Sequence, residues 1–591
     1  MKKKSLLKNF LIWRIKNIST YQFILILSIF TGITTGISAI LINYTVVFIK
    51  KIVHWGISNT DHNYLYFALP SVGILLSVLF SKYIINQQVR HGIPNVLHSI
   101  SKKNAILNRH NMFSSIVTSA LTIGFGGSVG LEGPTVATGA AQGANIGRLF
   151  HLDYKQRVLL IGCASAAALG GIFKAPIAGV VFALEVMMLD LTVTSIVPLL
   201  LAALSAAIVS SLFLGQEVVY HFTLKTDFKL EIIPYYILLG VIAGLVSVYF
   251  SKMYLKIAKF FDKFEKWYVK LIIGSSILGL LIFIFPALYG DGYEVINTTL
   301  SGKYDFLFDK SLFYQYEYSI WIVIFLLVLV MLFKIIAASA TFGAGGVGGI
   351  FAPSLFMGSS LGLAFSLLIN ELEIKNLSTS NFALVGMSGL IAGVLHAPLT
   401  AIFLIADITS GYALIMPLMI VSTIAYSISR FFAPNSVYTI ELARRKELIT
   451  HHKDKAILSL MKVDKILETN FVKVQPYYTL RHLVDIVATS ERNVFPVTDS
   501  ENNFLGIVTL NDIRNIMFKP EMYDETFVRD LMFTPIEYVS LQDSMEDVAS
   551  KIQSSGLFNI VVLDNGKYIG FVSRANVFST YRRFLKYFSE D

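Results

Sequence analysis

Between Tyr21 and Phe432 the chain alternates long apolar runs with shorter ones that glycine and proline interrupt. That pattern constrains its fold more than any other feature. The hydrocarbon core of a bilayer takes about 20 apolar helical residues to cross. Tyr21–Ile49, Tyr64–Ile85, Thr192–Leu214, Ile233–Phe250, Leu271–Leu288 and Ile320–Ala338 are long enough. Ile123–Phe150, Leu159–Leu189, Gly345–Ile369 and Leu384–Ile408 are apolar but broken. Broken backbone at membrane depth is tolerated only inside protein or along a cavity, and in transporters such breaks often form the binding site. The pattern predicts a polytopic α-helical membrane protein with broken helices.

Hydrophobic residues make up 54% of the chain and charged ones only 15%, outside the range of soluble domains. From about Ile440 onward the sequence turns polar and mixed in charge, which marks a soluble part after the membrane part. The net charge is +10, and its placement matters more than its size. Lys2, Lys3, Lys4, Lys8, Arg14 and Lys16 precede the first apolar run; Arg444, Arg445, Lys446, Lys453 and Lys455 follow the last. Short basic flanks stay in the cytoplasm, so both termini are expected there, and the basic balance points to the bilayer rather than to nucleic acid. Arg14 and Lys16 interrupt the first apolar stretch and no small-residue cleavage site precedes Tyr21, so no cleaved signal peptide is read there. Cys163 is the single cysteine, which excludes an intrachain disulfide and reads as a packing residue.

The breaks occur twice. Lys174-Ala175-Pro176-Ile177-Ala178 returns as His396-Ala397-Pro398-Leu399-Thr400, 222 positions later. A glycine-rich stretch ending in proline lies upstream of each, Gly124 to Pro134 and Gly343 to Pro353, 219 positions apart. Two features at nearly one offset predict a membrane part built from two repeats, and paired broken segments point to a site near the midplane. The soluble part repeats as well. Gly506-Ile507-Val508-Thr509-Leu510-Asn511-Asp512 matches Gly570-Phe571-Val572-Ser573-Arg574-Ala575-Asn576, each after a β-rich run and an amphipathic helical stretch. A small α/β module is expected twice over.

Three glycine- and proline-flanked segments precede apolar helical stretches: His91-Gly92-Ile93-Pro94, Gly130-Leu131-Glu132-Gly133-Pro134 and Gly349-Ile350-Phe351-Ala352-Pro353. Proline suits a first helical turn. Helix starts carry unpaired N–H groups and a partial positive charge. Several aimed at one point hold an anion without a full cation, strongly enough to let it enter and weakly enough to let it leave. Glu132 is a carboxylate inside such a segment, and an intramembrane ionisable residue marks function by default. At an anion site it competes for the same N–H groups, so it acts as a gate, as a proton carrier or as both. The plainer reading is a carboxylate capping its own helix.

In order and spacing the three segments resemble the signature motifs of the CLC chloride channel and transporter family, and Ser436-Val437-Tyr438-Thr439 resembles a fourth. The soluble repeat resembles a pair of CBS domains. The resemblance covers nearly the whole chain and implies an organisation. Residues 1–20 form a cytoplasmic N-terminal segment, and 21–440 a membrane domain whose repeats, about 21–220 and 230–435, are inverted. Residues 441–464 form a linker, followed by a cytoplasmic CBS pair at 465–520 and 527–591. It implies a homodimer with one anion path per subunit in the cell (inner) membrane. It also implies roles: Glu132 as the gating glutamate, Tyr438 as a hydroxyl contact to the anion, and the Ile350 and Phe351 backbone amides as anion ligands. Gly92, Ile93 and Pro94 belong to the first motif. In the soluble repeat it makes Thr509, Asp512, Ser573 and Asn576 candidates for adenine-nucleotide contacts, a purely structural pair being the alternative. No other cofactor and no metal is implied.

Three positions depart from the family pattern. Arg90-His91 stands where Gly-Ser is usual, so His91 either donates an imidazole N–H to the anion or points away. Leu131 stands where a basic residue is usual, which lowers the positive potential at the entrance. Val186 stands where proton-coupled members commonly carry an inner glutamate, with Glu185 its neighbour about 100° around a helix. Valine carries no proton, so the reading is chloride transport, channel-like or weakly proton-coupled, gated by Glu132, with a chloride/proton antiporter as the alternative. A divalent-cation transporter would need a cage of carboxylates, and Glu132, Glu185, Asp190 and Asp407 are scattered. No His/Glu metal pair or nucleophile elbow appears in the breaks, so no enzyme is expected. The Gly-Ile-Pro motif and the CBS pair argue against a fluoride exporter.

Overall fold

The computed structural model describes residues 2–57, 65–86, 92–187, 193–215, 228–308, 311, 313, 319–409, 412–444, 458 and 461–589. The chain divides into two compact units, Met1–Leu448 and Ile449–Asp591. His91 and Asp190 lie outside the described residues.

The first unit is helical. Its first half runs α1 (Lys2–Asn17), α2 (Thr20–Ile57), α3 (Leu65–Leu79), α4 (Gly92–Lys102), α5 (Ser114–Gly124), α6 (Glu132–Leu149), α7 (Tyr154–Phe173), α8 (Pro176–Glu185) and α9 (Val193–Leu214). The second half runs α10 (Ile233–Asp262), α11 (Trp267–Ile284), α12 (Tyr293–Leu300), α13 (Ile320–Gly343), α14 (Phe351–Glu371), α15 (Thr379–Leu395), α16 (Pro398–Ile408) and α17 (Ile415–Phe432), followed by α18 (Ile440–Arg444). Among the described residues nine helices are long and apolar enough to cross a membrane.

The halves repeat each other helix by helix, α2–α9 against α10–α17. α2 packs on α7 and α9 as α10 packs on α15 and α17, while α3 meets α11 and α8 meets α16, each its own counterpart. The breaks repeat too. Gly126 and Gly345 adopt φ of +100° and +101° just past α5 and α13. An L side chain there is strained by on the order of 1–3 kcal/mol, and a Cβ on Gly126 would lie 2.0 Å from the Tyr289 ring. The next residues turn back alike: the Gly127 N–H donates to Thr122 O at 2.8 Å and the Gly346 N–H to Thr341 O at 2.9 Å. Lys174 and His396 end α7 and α15 in the left-handed region, and Pro176 and Pro398 open α8 and α16. The proline cannot donate to the preceding turn, so each apolar run splits at the Ala-Pro dipeptide.

The second unit holds α19 (Leu480–Thr489), β1 (Val494–Thr498) and β2 (Phe504–Thr509), then β3 (Tyr538–Val539), α20 (Met545–Ser555), β4 (Asn559–Asp564), β5 (Lys567–Ser573) and α21 (Arg574–Ser589). β1 pairs antiparallel with β2, placing Phe495 opposite Val508; β4 pairs likewise with β5, and β3 joins β4 in parallel. The module boundary differs from the sequence expectation in one respect. Met461 and Val463, read as linker, are buried with Ile466 in the core of the second module beside Val548, Ile560 and Val572. The Glu468 N–H donates to Phe571 O at 2.8 Å, which adds this segment to the edge of β5. A strand edge left open exposes unpaired backbone groups, and the entering chain covers it.

Candidate anion site

The two glycine-rich breaks meet. The Gly130 N–H donates to Gly349 O at 2.9 Å and the Gly349 N–H donates to Gly130 O at 2.7 Å. They form an isolated antiparallel bridge between residues separated by the 219 positions of the repeat. Two equivalent residues that pair with each other lie on the axis relating the repeats. Glu132 and Phe351 open α6 and α14 immediately beyond this bridge, both buried to within 1% exposure.

A cavity lies against the bridge. Gly92, Ile93 and Pro94 at the start of α4, Gly133 in α6, Gly349 and Ile350 before α14, and Tyr438 line it. The sequence-predicted residues Gly92, Ile93, Pro94, Ile350 and Tyr438 therefore share one cavity, and Phe351 follows Ile350 with its ring 5.7 Å from that of Phe173. The turn that presents Tyr438 is held by Thr439 N–H to Ser436 O at 3.1 Å and by Val437 N–H to Val394 O at 3.4 Å. The Tyr438 hydroxyl is buried and has no hydrogen-bond partner, a costly state for a buried donor. A hydroxyl with an open donor beside helix starts fits an anion. No chloride-ligand role can be placed for His91.

The Glu132 carboxylate lies against the bridge. Its Oε1 accepts the Tyr293 hydroxyl. Its Oε2 is buried without a hydrogen-bond partner, lodged between Gly130 and Gly349. Tyr293 was not legible as a site residue: α12 has eight residues and no long apolar run.

Val186 caps α8, buried, with its N–H donating to Phe182 O at 2.9 Å; it is not among the cavity residues. Glu185 has another task. Its Oε1 accepts the Leu399 N–H at 3.0 Å and its Oε2 accepts the Thr400 N–H at 2.8 Å and hydroxyl at 2.7 Å. It thus caps the start of α16. Asp407 returns the contact, accepting the Ala178 N–H at the start of α8 at 3.4 Å and the Tyr412 hydroxyl at 2.8 Å. Glu185 and Asp407 stand 222 positions apart, so applying the repeat offset to the carboxylates would have paired them. Orphan N–H groups at helix starts need such acceptors. Among the described residues no three His, Cys, Asp or Glu side chains converge to hold a metal ion.

In the soluble unit the Thr509 N–H and hydroxyl each donate to Asp512 Oδ2 at 2.7 Å. The Ser573 hydroxyl donates to Glu468, and Asn576 Nδ2 donates to Ile466 O at 3.1 Å. The first pair is thus closed on itself and the second is engaged by the entering segment.

A family profile described as voltage gated chloride channel matches residues 72–430. The chain belongs to the voltage-gated chloride channel family. Anion transport across a membrane is accordingly its function, and it is a multi-pass membrane protein. CBS-domain profiles match residues 463–519 and 528–583. The chain is 28% identical over 388 residues to a putative chloride channel protein ClcB-like of Ralstonia nicotianae, covering 64% of this chain and 86% of that one. It is 26% identical over 435 residues to the H(+)/Cl(−) exchange transporter ClcA of Salmonella typhi, covering 71% and 88%. A solved eukaryotic CLC transporter has the same fold, with a TM-score of 0.61 at 19% identity over 94% of this chain and 97% of that one.

Proposed function

We infer that the chain exchanges chloride for protons, with Glu132 as both gate and proton carrier. The observation that carries this reading is the placement of Glu132: its buried carboxylate stands beside a cavity lined by Gly92, Ile350 and the unpartnered hydroxyl of Tyr438. A carboxylate and an anion repel each other there, so a proton on Glu132 and a chloride in the cavity favour each other. The relatives named as exchange transporters support exchange. The second reading is passive or weakly coupled chloride flux. It rests on Val186, a buried aliphatic side chain where an inner proton acceptor would stand; under exchange the inner proton reaches Glu132 by another route. Reconstituted vesicles decide between them. Under exchange a chloride gradient drives proton uptake against a proton gradient at a fixed ratio; dissipation of chloride with no proton movement would establish passive flux instead.

The basic flanks place both termini in the cytoplasm of a cell (inner) membrane protein, and the family resemblance supports a homodimer with one path per subunit. For the CBS pair we propose adenine-nucleotide regulation, with Thr509 and Asp512 as the contacts a ligand would take from each other: neither side chain is bonded outside its own turn, unlike those of Ser573 and Asn576. Calorimetry on the full chain in detergent is expected to show heat on adding ATP, ADP or AMP, reduced roughly tenfold in affinity by Asp512→Ala through the lost charged contact. Absence of heat at millimolar ligand would leave the pair structural.

A further inference from the structure

The sequence offers no partner for Glu132 other than the anion and the helix starts, yet its carboxylate is bound by a tyrosine from the other repeat. That tyrosine opens α12, the counterpart of α4. Gly92 opens α4 and packs on α6, where a Cβ would lie 2.4 Å from Gly133 O. Gly292, at φ +85°, precedes α12 and packs on α14, where a Cβ would lie 2.7 Å from the Phe356 ring. The pseudo-two-fold rotation through the Gly130–Gly349 bridge relates one start to the other. One repeat therefore offers backbone to the cavity. The other offers a phenol to the carboxylate that closes it.

Polar contacts, some part-buried and some buried, hold the backbone that carries the phenol. The Tyr293 N–H donates to Asp291 Oδ1 at 3.3 Å, and Asp291 Oδ2 accepts Lys50 Nζ from α2 at 2.9 Å. Lys334, midway along α13 and fully buried, donates from one Nζ to Ser128 Oγ at 2.8 Å and to Gly290 O at 3.2 Å. Ser128 lies just before the break that carries Glu132, and Gly290 just before the turn that carries Tyr293. The Ser128 hydroxyl donates in turn to Leu288 O at 2.7 Å, and the Gly290 N–H donates to Gly126 O at 3.0 Å. The Phe356 ring lies under the ammonium at 4.7 Å. A buried ammonium is retained only where it is paired and hydrogen-bonded. Here its bonds join the two loops whose side chains meet at Glu132.

We propose that Tyr293 is a positioning residue, a latch that holds the Glu132 carboxylate across the anion path, and that Lys334 fastens the latch by tying its loop to the loop that carries Glu132. This rests on the reading of Glu132 as the gate. It names what the gate must let go of before it opens. A hydrogen bond to a charged group shifts a two-position equilibrium by roughly tenfold or more. The phenol therefore sets how much of the time the path is closed, while leaving the anion's own donors untouched.

The test is a double-mutant cycle on chloride flux, with accompanying proton flux, in reconstituted vesicles. Tyr293→Phe keeps the ring and removes the hydroxyl. It is expected to raise chloride flux several-fold, up to roughly tenfold, to lower protons moved per chloride, and to change nothing further once Glu132→Ala is present. Lys334→Met is expected to act in the same direction and to be equally silent on the Glu132→Ala background. Three results would overturn the latch. One is Tyr293→Phe with wild-type flux and stoichiometry beside an altered Glu132→Ala; the latch then fails alone and the gate stands. Another is an effect of Tyr293→Phe that persists undiminished on the Glu132→Ala background, which would make it general loosening of α12. The third is an unaltered Glu132→Ala, in which case gate and latch fall together.

Discussion

Replacing Glu132 by glutamine or alanine is expected to raise chloride flux at neutral pH, to make that flux independent of pH, and to abolish proton movement. The carboxylate is 1% exposed and adjoins the cavity through Gly133. Two negative charges 4 Å apart repel by about 4 kcal/mol at an effective dielectric constant of 20, enough to change occupancy by orders of magnitude. The sign follows from charge alone. A proton on Glu132 removes the repulsion, so wild-type flux climbs as pH falls. Glutamine is neutral at every pH and stays at that fast limit; alanine clears the path as well. Flux by chloride electrode and proton movement by a pH electrode, both across a pH series, measure the two halves of the expectation. A variant that keeps the wild-type pH profile would remove Glu132 from the mechanism.

The parts of this site that were legible in sequence are those written as breaks in long apolar runs. Glycine and proline in apolar runs have few explanations, and their recurrence at nearly one offset predicts two repeats; that the equivalent glycines Gly130 and Gly349 pair with each other is seen only in the structure. Long runs such as Ile320–Ala338 became helices whose ends differ by a few residues, α13 reaching Gly343. What escaped has a common cause: it consists of single polar residues in segments that hydropathy averages away. Lys334 is one cation in α13, and its neighbours make the window apolar. Tyr293 sits in a helix of eight residues behind a Gly-Asp-Gly turn, too short to show a period. Glu185 enters the sequence reading only as the neighbour of Val186, yet it caps α16. Capping partners lie more than 200 residues away in sequence, so only the repeat symmetry could have related Glu185 to Asp407. In the soluble unit the strands and helices were readable from alternation. The docking of Met461 and Val463 onto the second module was not, because their packing partners, Val548 and Ile560 among them, lie far along the sequence.

The bridge also separates where Glu132 sits from what it is, through its two glycines. A Cβ on Gly130 would lie 2.1 Å from Glu132 Oε2 and 2.7 Å from Ala352 Cβ. The first neighbour is the end of a flexible side chain and can swing away; the second is fixed to the first turn of α14, which has to shift to make room. Gly130 needs no left-handed backbone. Gly130→Ala is therefore expected to expel an intact carboxylate from its slot, with the Ala352 contact costing about 1–3 kcal/mol of stability. Its chloride flux at neutral pH should approach that of Glu132→Ala, with proton coupling largely lost, although the titratable group is still present. Gly349→Ala meets a different obstacle, since its Cβ would lie 2.8 Å from the Gly133 backbone nitrogen and 3.3 Å from Gly133 Cα. Backbone at a helix start cannot step aside, and overpacking of this kind costs about 1–3 kcal/mol. That variant should lose its bridge and show a lowered unfolding midpoint in detergent by size-exclusion after heating, as Gly130→Ala should through its own contact with Ala352. If Gly130→Ala instead retains wild-type flux and coupling, the slot between the two glycines is not where Glu132 closes the path.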